Sequence, residues 1–191
     1  MSTWISSLAL SLLLGGCVAG GAGSPSGSSS ASILGGSIVV AAPRGYCIDT
    51  AASQTAGESA VMFIGRCSDS ADVPAAAITA TIGETGSASV MAAGTDGLAR
   101  YFASAEGRAV LSRDGRAETV AVQEVLAGDG VVILHLNDAA IGEYWRAVLG
   151  IRGRLVTLAV TPPEGRPLTS AEGKLLLDRT ITALQRANPP A

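Results

Sequence analysis

The most conspicuous lack in this chain of 191 residues is early charge: no Asp, Glu, Lys or Arg precedes Arg44. Residues 1–43 therefore cannot form an ordinary ion-studded surface, and they separate from the rest as a distinct segment. Lysine is nearly missing as well. All 13 cationic side chains except Lys174 are Arg, and 16 acids leave a net charge of −3. That balance provides no electrostatic footprint for nucleic acid, so no nucleic-acid partner is expected. Histidine occurs once, at His135. A lone imidazole cannot build a Cys/His zinc site with four ligands, and it makes His135 the only possible imidazole base for a Ser-His-acid hydrolase.

Other motifs are missing too. No G-x-S-x-G elbow presents a nucleophile. Gly173-Lys174 lacks the preceding glycine spacing and the following Ser or Thr of a phosphate-binding loop. An aspartyl-phosphate pump would need several membrane spans and an Asp-Lys-Thr-Gly site, and neither is present. No solenoid period recurs. The sequence thus nominates no catalytic residue, no metal ligand and no cofactor. Paired carboxylates converging from distant positions are the route it leaves open.

What is present begins with an apolar stretch over residues 4–14, interrupted by Ser6, Ser7 and Ser11 and followed by Leu14-Gly15-Gly16-Cys17. These eleven residues fall short of the roughly 20 that a helix needs to cross a bilayer core. Their length suits the hydrophobic region of a signal peptide. Leu14-Gly15-Gly16-Cys17 resembles the lipobox of bacterial lipoproteins, in which a peptidase cuts before a cysteine that already carries diacylglycerol. Small residues let the chain lie extended in the peptidase cleft, and the thiol accepts the lipid. The chain departs from that pattern in one respect: no Lys or Arg precedes the apolar run. The plainer alternative is a buried N-terminal helix with an incidental cysteine.

The resemblance implies a signal peptide at 1–16 and lipid attachment at Cys17. Residues 17–36 then form a Gly/Ser-rich linker, followed by a single domain over 37–188 and a short tail at 189–191. About 16 flexible residues would reach roughly 20–24 Å. Val18 is not the Asp that retains enterobacterial lipoproteins in the inner membrane. By that resemblance the destination is the outer membrane, facing the periplasm.

Assigning Cys17 to lipid leaves Cys47 and Cys67, 20 residues apart. In an oxidising compartment they are expected to form a disulfide worth about 3 kcal/mol in the chain-entropy model. A redox dithiol is the alternative, although such pairs usually lie close together as C-x-x-C.

The pattern from Ser37 onward predicts a largely antiparallel sheet. Strand-like runs are SIVVAAPRGYCID with a bend at Pro43 and Gly45, AVMFIGRC, a weaker run near 77–82, RAVLSR over 108–113, ETVAVQEVLA and VVILHLN. Gly128-Asp129-Gly130 is a hairpin signal. The stretch over 142–160 reads as two strands broken at Arg152-Gly153. Thr95-Asp96 offers an N-cap to a short helix with Leu98, Tyr101, Phe102 and Ala105 at helical spacing. Thr169-Ser170-Ala171-Glu172 is a capping box opening a helix with Leu177, Ile181 and Leu184 in one stripe. Arg179 and Arg186 point outward, and Asn188-Pro189-Pro190 stops it. The expected fold class is α+β: an antiparallel sheet, a short internal helix and a long C-terminal amphipathic helix in a layered sandwich.

That order, with its Tyr-Phe helix, Tyr-Trp hairpin and terminal helix, resembles the PsbP/Mog1-type sandwich over residues 37–188. The resemblance implies a module for protein binding or assembly and carries over no catalytic residue. Tyr144, Trp145, Arg146, Arg152 and Arg154 form the candidate interaction surface for an envelope partner or an anionic group. Solvated hairpin charges and aromatic core packing are the alternative reading of those residues. Two functions follow: a lipid-anchored periplasmic binding module without catalysis, or an envelope hydrolase using His135 or unidentified carboxylates.

Overall fold

The computed structural model describes residues 27–68 and 70–190. The signal-like stretch, Cys17 and Val18 lie outside the described residues. Seven strands make one antiparallel sheet: β3 (Tyr46–Ala56), β4 (Ser59–Arg66), β5 (Ala77–Ile82), β6 (Val120–Gly128), β7 (Val131–Asp138), β8 (Gly142–Ile151) and β9 (Arg154–Thr161). Their order across the sheet is β3-β4-β5-β9-β8-β7-β6. A separate hairpin pairs β1 (Ser30–Ile33) with β2 (Ile38–Ala41). Three α-helices complete the α+β fold: α1 (Thr95–Ala103), α2 (Ala105–Leu111) and α3 (Ser170–Ala187).

Two hairpins turn where glycine allows it. Asp129 and Gly130 have φ of 49° and 73°, and Arg152 and Gly153 have φ of 47° and 77°. Positive φ at both central positions is the geometry that fits the twist of paired strands. The two outermost strands each carry a break in register, between Asp49 and Gln54 in β3 and between Val122 and Glu124 in β6.

The sheet is covered unequally. On one face, α3 and β2 lay Leu177, Ile181, Leu184 and Ile38 over Ile78 and Leu158. On the other, Phe102 and Leu111 from α1 and α2 cover Val132, Leu134 and Leu136. That second cover lies mainly over β6 and β7; the segment Ser87–Ala93 carries it across β8 to Leu155 at the start of β9, and it stops short of β4 and β5. The expected capping box is present: Thr169 Oγ1 accepts from the Glu172 amide at 3.2 Å, and Thr169 N donates to Glu172 Oε2 at 3.0 Å. Arg179 and Arg186 are exposed, as the helical spacing requires.

The chain corrects several local expectations. RAVLSR is not a strand, because α2 runs through most of it from Ser104, whose hydroxyl accepts from Gly107 N at 3.1 Å. Its buried residues are Gly107 and Leu111, four apart, the spacing of a helical stripe rather than a pleat. The preceding helix ends at Ala103, so Ala105 belongs to the next one, and its N-cap is Gly94 rather than Thr95 or Asp96. Gly107 makes the junction possible: a Cβ there would sit 1.9 Å from the Tyr101 carbonyl oxygen.

The linker expected over 17–36 also ends too late. Ser30–Ile33 pairs with Ile38–Ala41 through a turn of Leu34, Gly35 and Gly36, all at positive φ. Ile33 and Leu34 pack against the core, so this small-residue segment finds backbone partners and apolar contact that composition alone does not reveal. SIVVAAPRGYCID is likewise two strands in two different sheets, separated at Pro43–Gly45. The disulfide joins Cys47 to Cys67 with Cα atoms 5.1 Å apart, beside the β3–β4 pairing.

Candidate functional site

The antiparallel register sets His135 on β7 directly opposite Trp145 on β8. Their rings stack with centroids 4.2 Å apart and 3° between planes. Trp145 Nε1 donates to the Ser170 carbonyl at 3.0 Å and lies 3.2 Å from Ser170 Oγ. Ser170 Oγ is in turn 3.1 Å from His135 Nε2, which is 2.5 Å from Glu143 Oε1. A serine, a histidine and a carboxylate therefore meet at the first turn of α3.

The arrangement is the wrong one for nucleophilic catalysis. A general base takes the hydroxyl proton on one ring nitrogen while an acid orients the other. Here hydroxyl and carboxylate address the same Nε2. If that nitrogen carries the proton toward Glu143, it has no lone pair left for Ser170. The cluster instead seats α3 on the sheet. Gly173 completes the seat, since a Cβ there would fall 3.1 Å from Trp145 Cδ1.

The five residues expected to form one interaction surface are not brought together. Tyr144 and Trp145 are 3% and 5% exposed and point to opposite faces of the sheet, as neighbours on a strand must. Arg154 is buried, its Nη1 donating to the carbonyls of Glu58 at 2.5 Å and Gly83 at 3.0 Å. It clips two loops together. Arg152 is exposed in the β8–β9 turn, at the far end of β8 from Tyr144. Only Tyr144 and Arg146 share a cleft.

That cleft is where the second face of the sheet lies open. Register places Phe63, Thr79, Ala159 and Arg146 in one row across β4, β5, β9 and β8. Thr81 and Thr157 form the parallel row beside it. With Arg113 and Tyr144 these residues line a depression of about 430 Å³. Its lining contains two guanidinium groups and no carboxylate. The Arg146 guanidinium carbon stands 5.5 Å from the centre of the Tyr144 ring. Arg146 Nε is buried and has no hydrogen-bond partner. Neither Arg113 nor Arg146 is ion-paired among the described residues.

Burial pushes the Tyr144 phenol above the ordinary tyrosine range, with Arg146 and Arg113 pulling against it and Asp138 adding to the rise. The phenol therefore stays protonated at neutral pH as a hydrogen-bond donor. No group of three potential metal-ligating side chains occurs among the described residues. What the depression offers is recognition: donors, hydroxyls and one exposed ring.

Sequence reasoning passed over Phe63, Thr79, Thr157 and Arg113. The signal for the threonines was alternation in ITATI and in RLVTLAVT, which puts every Thr on the face away from α3. Arg113 carried no signal, because the turn after α2 brings it there. Comparison with known families matches no family model, and no curated protein and no solved structure matches the chain.

Proposed function

We propose that this chain is a lipoprotein of the bacterial envelope, attached through Cys17 and facing the periplasm, whose domain is a non-catalytic binding module. The carrying observation is Leu14-Gly15-Gly16-Cys17 at the end of an apolar run of signal-peptide length. The Cys47–Cys67 disulfide supports it, being the state expected of such a pair outside the reducing cytosol. Val18 in place of Asp favours the outer membrane. The resemblance to PsbP/Mog1-type modules favours a protein or another envelope component as partner.

Mass spectrometry of the membrane-extracted protein tests this. The expected N-terminus is an acylated Cys17, and Cys17→Ala is expected to leave the precursor uncut. An unmodified chain still beginning at Met1 in the native membrane sinks the reading.

The envelope-hydrolase alternative keeps one observation in its favour, the contact of Ser170, His135 and Glu143. A fluorophosphonate probe separates the two. The binding-module reading expects no labelling of Ser170, whereas labelling lost in Ser170→Ala and His135→Gln restores the enzyme.

A further inference from the structure

We infer that the open face of β4, β5, β9 and β8 binds a small organic anion, its oxyanion held by Arg146 and Arg113 and its apolar part resting on Phe63.

The argument starts from Arg146. A buried guanidinium N–H with no acceptor is costly, because desolvating a donor without replacing its hydrogen bond loses free energy. Arg154, the first residue of β9 after the next turn, shows the ordinary solution by spending its donors on two backbone carbonyls. Arg146 has no such acceptor for Nε, although it lies in the same sheet. Nε itself is closed to a ligand, but the Arg146 side chain lines the depression, and the terminal N–H groups of its guanidinium are what an anion there would meet.

Charge points the same way. The chain has more acids than bases, yet no Asp or Glu lines this depression and two Arg do. A carboxylate or a phosphate monoester presents two oxygens to a guanidinium in the geometry that gives paired, charge-assisted hydrogen bonds. The depression, about 430 Å³, is the size that small-molecule sites commonly have. Thr79 and Thr157 add hydroxyls that donate or accept, and the Tyr144 phenol makes no hydrogen bond among the described residues. Phe63, 39% exposed on the same row as Thr79, offers a ring face for the apolar part.

The inference rests on the binding-module reading and names the ligand class of that module. It does not depend on the anchor. The test is calorimetric titration of the full chain, solubilised from membranes into phosphate-free buffer, with phenyl phosphate, benzoate and neutral phenol. One or both anions are expected to bind at millimolar or lower concentration, and phenol to bind at least about tenfold more weakly. Arg146→Gln and Arg113→Gln should each weaken anion binding about tenfold or more, while Arg152→Gln in the exposed turn leaves it unchanged. Arg113 is exposed, so its variant keeps the test decisive if Arg146→Gln fails to fold. Equal binding of phenol, or anion binding untouched by both variants, overturns the inference. A photo-crosslinking side chain at Thr79 that captures an envelope protein while neither anion binds also overturns it, and leaves the binding module standing.

Discussion

Trp145 and His135 lie face to face across β7 and β8, 4.2 Å apart, and the indole N–H of Trp145 reaches on to the first turn of α3. One side chain thus joins the sheet, the lone imidazole and the terminal helix.

Removing that side chain should be costly. Trp145→Ala is expected to lower stability by about 3–5 kcal/mol, from lost burial and the cavity left beneath α3. Gly173→Ala should cost about 1–3 kcal/mol, since the new methyl group must push the indole aside. Urea unfolding followed by circular dichroism measures both. A loss under about 1 kcal/mol for Trp145→Ala would mean that α3 is seated mainly by other contacts.

Stability should fall on both sides of neutrality, for different reasons. Glu172 is held below the ordinary carboxylate range by hydrogen bonds from the Thr169 hydroxyl and backbone, and Glu106 similarly by backbone and Ser104. Carboxylates lowered on folding contribute stability above their unfolded value, roughly 4.3, and lose it as pH drops through the lower folded value. Tyr46 and Tyr144 are raised by burial. Their contribution is complete below about 10 and disappears as pH climbs through the folded value. Melting temperature against pH should be a plateau with two falling limbs. Thr169→Ala is expected to flatten the acid limb and Tyr144→Phe the alkaline one; unchanged limbs would exclude these groups as the source.

Asn188 ends α3 and fastens it to the small hairpin. Its side chain accepts from Val39 N at 2.9 Å and donates to the carbonyls of Val39 at 2.7 Å and Leu184 at 2.8 Å. Asn188→Ala should cost about 1–3 kcal/mol by stranding those backbone groups. Asn188→Asp should cost at least as much, since a carboxylate would face two carbonyl oxygens. Hydrogen exchange read at the Val39 amide would report the release. Protection unchanged in Asn188→Ala would show that β2 is held without the clip.

Much of this was legible in the residues. The Thr169–Glu172 box, the Leu177 stripe and the glycine turns each state a local rule that nothing distant overrides. The α+β class follows from them. Helix α2 was obscured because RAVLSR has the alternation of a strand, and only Ser104 three residues before Gly107 betrays the cap. The open face proposed for binding was half legible. Period two already separates Tyr144 from Trp145 and gathers the threonines, but the meeting of Phe63 with Arg146 depends on β5 pairing with β9 across the 71 residues that separate them in the chain. No local pattern encodes such a meeting.

The breaks in register on β3 and β6 bear on how these molecules tolerate one another. An uninterrupted outer strand is a template onto which a second copy can zip its own backbone. In this sheet both outer strands are interrupted, at Asp49 to Gln54 and at Val122 to Glu124, so neither offers a straight ladder to a neighbour. If the chain is lipid-anchored as proposed, copies on one membrane would meet often and at high local density. The irregular borders disfavour the growth of such encounters into a shared, filament-like sheet.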